Sequence, residues 1–276
     1  MQRYAVARIP TPVLNTSAFA SVFGGKDQRT LKTDSCGMTR ELEFIALPGT
    51  VFSIISDIHF GTTTLYQVTT AEYPTALGRK LYLDARFVET EDQPPFERKK
   101  NLPEQLEILA SLRKSIGNPY VWGSNISVGI PELDIWYYKS EPYSPMFDTN
   151  RSIRTLAGVD CSGLLYQATG GWTPRNTSQL VYFGNSLKIK GKSADEITKM
   201  LEPLDLIVWD GHVVIVLDHE TAIESRLECG KASAAGVVTT PLKQRLVEIM
   251  KIRKPADKWE IKGRDRASFV IRRWFR

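Results

Sequence analysis

Asp160-Cys161-Ser162-Gly163-Leu164 is the stretch on which the reading of this chain turns. Asp160 is a good N-cap, so a helix is expected to open at Cys161 and to stop at Gly170-Gly171. Cys161 then takes the first helical position. Exposed amides and the positive end of the helix dipole stabilise a thiolate there. A lone cysteine is more often a buried small hydrophobe. The cap, the small Ser162-Gly163 pair and an available imidazole outweigh that reading here.

A thiolate nucleophile needs an imidazole to hold its proton and later deliver it to the leaving amine. The chain has three histidines, His59, His212 and His219. His212 follows Trp209-Asp210-Gly211 and opens an apolar strand, so packing can hold its ring; His59 and His219 read as turn residues. A third group should orient the imidazole. If Asp218-His219-Glu220 forms a three-residue loop, His212 and Glu224 share one face as diagonal neighbours. Such pairs lie about 7–8 Å apart, within reach of a long side chain. A loop of two or four residues would put them on opposite faces. Glu224 is expected as the orienting group on that condition.

Outward from this centre the chain changes character. Residues 1–92 read as short strands, with Tyr4–Ile9, Val51–Ile55 and Thr64–Val68 as candidates. Pro10, Pro12, Gly24-Gly25, Pro48-Gly49, Gly61 and Gly78 punctuate them, which indicates a small β barrel. Residues 93–102, with Pro94-Pro95, read as a linker. Beyond it Leu106, Leu109, Leu112 and Ile116 fall on one helical face, with Pro103 in the first turn and Gly117 past the end. Ser193 with Glu196 is a capping-box pattern opening another helix. Strands at 206–209, 213–217 and 221–223, a helix at 242–250 and a strand at 269–271 complete an α+β domain over 103–276.

Composition closes off several function classes. Hydrophobic residues at 42% and charged residues at 24% exclude a largely disordered chain. Thirty-six basic against 31 acidic side chains give +5, too diffuse for a nucleic-acid binder. The basic carboxyl-terminal stretch, with Arg264, Arg266, Arg272, Arg273 and Arg276, reads instead as an edge strand with a solvated face. The best membrane candidate, Leu42–Ile55, is broken by Glu43, Pro48 and Gly49, so no membrane insertion is expected. Gly24-Gly25-Lys26-Asp27 lacks the first glycine and the hydroxyl residue of a phosphate loop. Three cysteines without pairing spacings argue against a disulfide framework, and Cys36 and Cys229 have no evident partner. Neither Cys-x-x-Cys nor His-x-x-x-His is present, so no metal or other cofactor is expected. The weak amino-terminal apolar run favours a cytoplasmic location over an exported one.

Four segments in order carry a family resemblance. Gly117-Asn118-Pro119-Tyr120-Val121-Trp122-Gly123, Asp160-Cys161-Ser162-Gly163-Leu164, Thr173-Pro174-Arg175-Asn176-Thr177-Ser178-Gln179 and Gly211-His212-Val213-Val214-Ile215 resemble the motifs of the NlpC/P60 group of papain-like cysteine peptidases. The resemblance implies a papain-like catalytic domain behind a bacterial SH3-like barrel. It implies hydrolysis of peptidoglycan stem peptides between γ-D-glutamate and a diamino acid. Cys161 is then the nucleophile, His212 the base, Glu224 the third group in place of the usual histidine, and Tyr120 a hydroxyl near the thiol. Asp160, Ser162 and Arg175 fall on the substrate side, with Asp160 meeting a substrate amine. A module that closes one end of the cleft would restrict the enzyme to released muropeptides with a free amino-terminal L-Ala; Glu72 and Tyr73 are the barrel residues considered for that amine.

The chain departs from the family in an insertion over 124–158 containing Trp136, Tyr137, Tyr138, Tyr143 and Phe147, which either walls the cleft or covers core. Two other readings compete. One is a papain-like amidase or acyltransferase acting on another amide. The other is a non-catalytic cell-wall-binding protein using its SH3-like region, which the joint presence of Cys161, His212 and Tyr120 disfavours.

Overall fold

The computed structural model describes residues 2–25, 27–75, 78–139, 149–227, 229, 235–260 and 267–275. The chain opens with β1 (Arg3–Ala7), β2 (Thr11–Leu14), α1 (Phe19–Val22), β3 (Leu42–Ala46), β4 (Val51–Phe60), β5 (Thr63–Thr69), β6 (Leu81–Asp84) and β7 (Val88–Glu91). Helix α2 (Gln105–Lys114), β8 (Asn125–Ile126), α3 (Pro131–Tyr137), α4 (Thr149–Arg154) and β9 (Gly158–Val159) follow. Next come α5 (Cys161–Ala168), α6 (Thr177–Leu180), β10 (Asn185–Ser186), α7 (Ala194–Thr198), β11 (Leu206–Trp209) and β12 (His212–Val216). The chain ends with β13 (Thr221–Arg226), β14 (Gly236–Pro241), α8 (Leu242–Met250), β15 (Lys254–Pro255) and β16 (Ser268–Arg273). The class is mixed α and β, with antiparallel sheets dominating. No helix among the described residues is long and apolar enough to cross a membrane.

Two compact units result, and neither is one continuous stretch. The first comprises residues 1–100, 121–159 and 228–230. Its seven strands form one sheet in the order β3-β2-β6-β5-β4-β1-β7. Strands β4 and β5 meet through a tight hairpin in which Phe60 pairs with Thr63. Gly61 sits there at φ +57°, a conformation cheap only without a Cβ. Phe52 and Ile54 point into the core; past a bulge between Ile54 and Ser56 most of β4 is exposed, while Ile58 still packs against the core. Phe44 stacks on Tyr73 at 4.3 Å within the same core.

The inserted aromatic stretch packs onto this unit. Asn125 uses its side-chain amide as a surrogate strand: it accepts from Ile45 N–H at 3.3 Å and donates to Ile45 C=O at 3.1 Å. That satisfies polar groups along the β3 edge, which a bare edge would leave open. Ile130 and Leu133 enter the core, Trp136 meets Phe87 edge-on at 4.7 Å, and Tyr137 bonds Asp84. Arg86 lies over both the Trp136 and Tyr137 rings. These contacts make the stretch a cover for core; Tyr143 and Phe147, like Arg264, Arg266 and Arg276, lie outside the described residues.

Cys36 and Cys229 form a disulfide with Cα atoms 4.8 Å apart, inside the first unit. This corrects the expectation that neither has a partner. At a sequence separation of 193, no local spacing could signal the pairing. In the chain-entropy picture such a long loop is worth up to about 5 kcal/mol. Cys36→Ser/Cys229→Ser is therefore expected to lower urea stability markedly. Thiol titration of the unfolded, unreduced wild type should find one group; three would refute the bond.

The second unit comprises residues 101–120, 160–227 and 231–276. Helix α2 opens with a capping box between Glu104 and Glu107. Pro103 thus precedes the cap rather than sitting in the first turn. Helix α5 is buried on nearly every side, and the six main strands run β10-β16-β11-β12-β13-β14. Helix α8 lays Leu242, Leu246 and Ile249 into a core with Val214, Val216 and Ala222. The segment before Tyr120 is stitched to β14: Gly117 N–H donates to Val237 C=O and Val237 N–H to Asn118 C=O, both at 2.9 Å. A Cβ on Gly236 would fall 2.6 Å from that Asn118 carbonyl oxygen, so the contact demands glycine.

Candidate active site

Helix α5 begins at Cys161 because Asp160 caps it. Asp160 accepts from Gly163 N–H at 2.6 Å, and its own carbonyl accepts from Leu164 N–H at 3.0 Å. The cap is braced from behind. Arg175, 1% exposed, donates to Asp160 Oδ1 at 3.0 Å, to Asp160 Oδ2 at 2.7 Å and to Ser162 Oγ at 2.9 Å. A buried guanidinium and carboxylate each require such a partner. The sequence reading placed Asp160, Ser162 and Arg175 on the substrate side. The structure brings all three together as one buried cluster whose charges balance internally.

His212 arrives on β12 through the tight Asp210-Gly211 turn, with Trp209 and His212 paired. Gly211 N–H donates to Thr177 Oγ1 at 3.0 Å, which fixes the turn. The Cys161 thiol points toward the same turn, 4.0 Å from Gly211 C=O. Trp209 flanks the imidazole at 5.2 Å between ring centres, and Arg253 stacks over Trp209 at 4.6 Å. The β12–β13 register pairs Ile215 with Ile223 and Val216 with Ala222, and Leu217 N–H donates to Thr221 C=O. Asp218, His219 and Glu220 are thus the three-residue loop that puts His212 and Glu224 on one face.

Glu224 Oε2 lies 2.7 Å from His212 Nε2. Its side chain is only 2% exposed, so its charge must be matched locally. Arg245, from α8, supplies the match: Nε lies 2.6 Å from Oε1, and Nη2 donates to Oε2 at 2.9 Å. Arg226 adds a longer ion pair at 3.6 Å. Burial alone would raise the Glu224 pKa, but His212 and Arg245 outweigh it and hold the carboxyl below its ordinary range. Burial would likewise lower the imidazole pKa; hydrogen bonding to Cys161 and Glu224, with their charges, raises it instead to about 9. His212 is thus poised between a sulfur and a carboxylate.

Tyr120 is half-buried at the end of the segment stitched to β14. Glu72 pairs with Arg98 at 3.0 Å and Lys100 at 3.6 Å, and the Tyr73 hydroxyl donates to Glu43 at 3.0 Å. Both residues considered for a substrate amine thus have partners within the first unit. Among the described residues no cluster of three or more His, Cys, Asp or Glu side chains is placed to hold a metal ion.

Two contributors escaped the sequence reading. Thr177 lies inside the quoted Thr173–Gln179 segment, yet nothing local ties its hydroxyl to Gly211. Arg245 did leave a trace. It sits three residues after Leu242 and four before Ile249, on the apolar face of α8, where a cation needs a buried partner.

No family model and no curated protein matches this chain. Among solved structures, an NlpC/P60 family protein from Bacillus cereus ATCC 10987 is similar at a TM-score of 0.35 and 14% identity, covering 99% of this chain and 63% of that one. This chain therefore spans less than two thirds of that structure. NlpC2 from Trichomonas vaginalis is similar at a TM-score of 0.27 and 11% identity, covering 87% of this chain and 71% of that one. Likenesses at this level carry no argument about the site, which rests on its own geometry.

Proposed function

We propose that this protein is a cysteine endopeptidase of peptidoglycan stem peptides, cutting between γ-D-glutamate and the diamino acid. The observation that carries the hydrolase reading is the line from Cys161 at the start of α5, through His212, to the buried Glu224. The bond and substrate follow from the four-segment resemblance. In this reading the Cys161 thiolate attacks the scissile carbonyl carbon. The developing oxyanion is met by the first amide of α5, which has no partner within the helix. The His212 imidazolium passes its proton to the leaving amine, and a water deprotonated by His212 then releases the acyl group from sulfur. Glu224 holds the ring and balances the imidazolium throughout. Tyr120 is proposed to help place the thiol or the oxyanion, and the first unit to be an SH3-like module.

Mass analysis of L-Ala-γ-D-Glu-diaminopimelate and its lysine counterpart, after incubation with wild type and Cys161→Ala, tests the reading. Release of L-Ala-γ-D-Glu by wild type alone is expected. Cleavage at another amide would favour the amidase alternative, and no cleavage of any amide would favour the binding module.

The cluster around Asp160 bears on the expected free-amine requirement. Both Asp160 oxygens already face Arg175, so an incoming ammonium finds a balanced pair rather than a bare charge. Acetylating the L-Ala amine is therefore expected to slow cleavage only about fivefold or less. Loss of a hundredfold or more would return Asp160 to amine recognition and support a role restricted to released muropeptides. The Cys36–Cys229 disulfide supports work in an oxidising compartment, in place of the expected cytoplasmic one.

A further inference from the structure

Glu224 is gripped from two directions, and only one of them belongs to the catalytic line. His212 takes Oε2 from β12, while Arg245, from α8, donates from Nη2 to that same oxygen and sets Nε 2.6 Å from Oε1 as an ion pair without hydrogen-bond geometry. Arg226, on the same strand as Glu224, reaches Oε1 at 3.6 Å. Arg245 is itself steadied by Glu248 at 3.3 Å, which accepts from Gln244 at 3.0 Å. Beyond His212 lie the Cys161 thiol and the Trp209 ring with Arg253 stacked over it.

We propose that Arg245 is a positioning residue for His212: its hydrogen bond to Oε2 and its ion pair with Oε1 hold the Glu224 carboxylate where Oε2 meets the imidazole. This rests on reading Cys161 and His212 as the catalytic pair. The physical case begins with the glutamate side chain. Its three torsions make it a poor orienting group by itself, because holding one rotamer costs conformational entropy. A guanidinium that bonds one oxygen and lies against the other narrows that freedom. Lysine, a point charge, would neutralise Glu224 without meeting both oxygens. Arg245 also keeps Glu224 ionised in a buried setting, so the imidazolium keeps its partner into mildly acid solution.

Arg245→Gln and Arg245→Lys separate these contributions. The first readout is the pH dependence of Cys161 alkylation by iodoacetamide, with the disulfide intact so that Cys161 is the reacting thiol. It needs no substrate, so it remains decisive even if the stem-peptide reading fails. Arg245→Gln is expected to move the acid limb of that profile upward by about one pH unit, because Glu224 then protonates sooner. Arg245→Lys should restore the limb. The second readout is peptide hydrolysis. Arg245→Gln is expected to lower kcat about a hundredfold with little change in KM, and Arg245→Lys to recover only part of that loss. A folded Arg245→Gln protein with an unmoved acid limb would overturn the proposal, as would full recovery of kcat by lysine. If Arg245→Gln does not fold, Arg245→Lys alone decides: wild-type kcat rejects the orienting grip, and a reduced kcat with an unmoved limb supports it.

Discussion

Cys161→Ala and His212→Ala are each expected to abolish turnover, by a factor on the order of a million, and the double variant to be no worse than either single one. The two side chains form one proton-transfer unit. Without sulfur no acyl-enzyme forms, and without the imidazole the leaving amine departs unprotonated. Neither substitution should unfold the protein, since α5 keeps its Asp160 cap and β12 its pairing with β11. The unfolding curve of Cys161→Ala should lie close to the wild type, and His212→Ala should stay folded while losing the imidazolium's contribution to stability. Near-normal hydrolysis by either would end the thiol mechanism. Cys36→Ser and Cys229→Ser carry no catalytic role and should act on stability alone.

Glu224→Gln is expected to cost about ten-thousandfold in kcat, comparable to removing the charge behind a serine hydrolase's histidine. The pH profile should change shape as well. Since the folded imidazole pKa stands near 9, well above its ordinary 6.5, the imidazolium's contribution to stability is complete below about 6.5 and disappears as pH rises through about 9. Activity that depends on the same proton should fall over the alkaline part of that window. Removing the Glu224 charge pulls the alkaline limb down toward the ordinary imidazole range. Glu224 acts in the opposite sense: its pKa is depressed, so its contribution is present above about 4.5 and lost as pH falls through the folded value. An unmoved alkaline limb in Glu224→Gln would show that the carboxylate does not govern the imidazole. A circular dichroism check is needed, because the variant leaves Arg245 with Glu248 as its remaining carboxylate.

Local signals in the sequence determined the elements that carry the chemistry. Asp160 marked the start of α5, Ser193 with Glu196 marked α7, and apolar runs marked β11, β12, β13 and α8. These readings hold because caps and alternation act over a few residues, where the chain's own neighbours set the energy. The hairpin was legible as a condition, since a three-residue loop forces His212 and Glu224 onto one face, but its length had to come from the ladder of Ile215 with Ile223. Tertiary structure alone decided the rest. It placed residues 121–159 with the first unit, joined Cys36 to Cys229, set Thr177 under Gly211 and swung Arg245 onto Glu224. It also set Asp160 against Arg175 as a buried ion pair. Each of these joins side chains distant in sequence, and burial rather than local propensity selects the partner. A buried charge must be met by whichever opposite charge the packed elements bring within reach, and no window along the chain contains both.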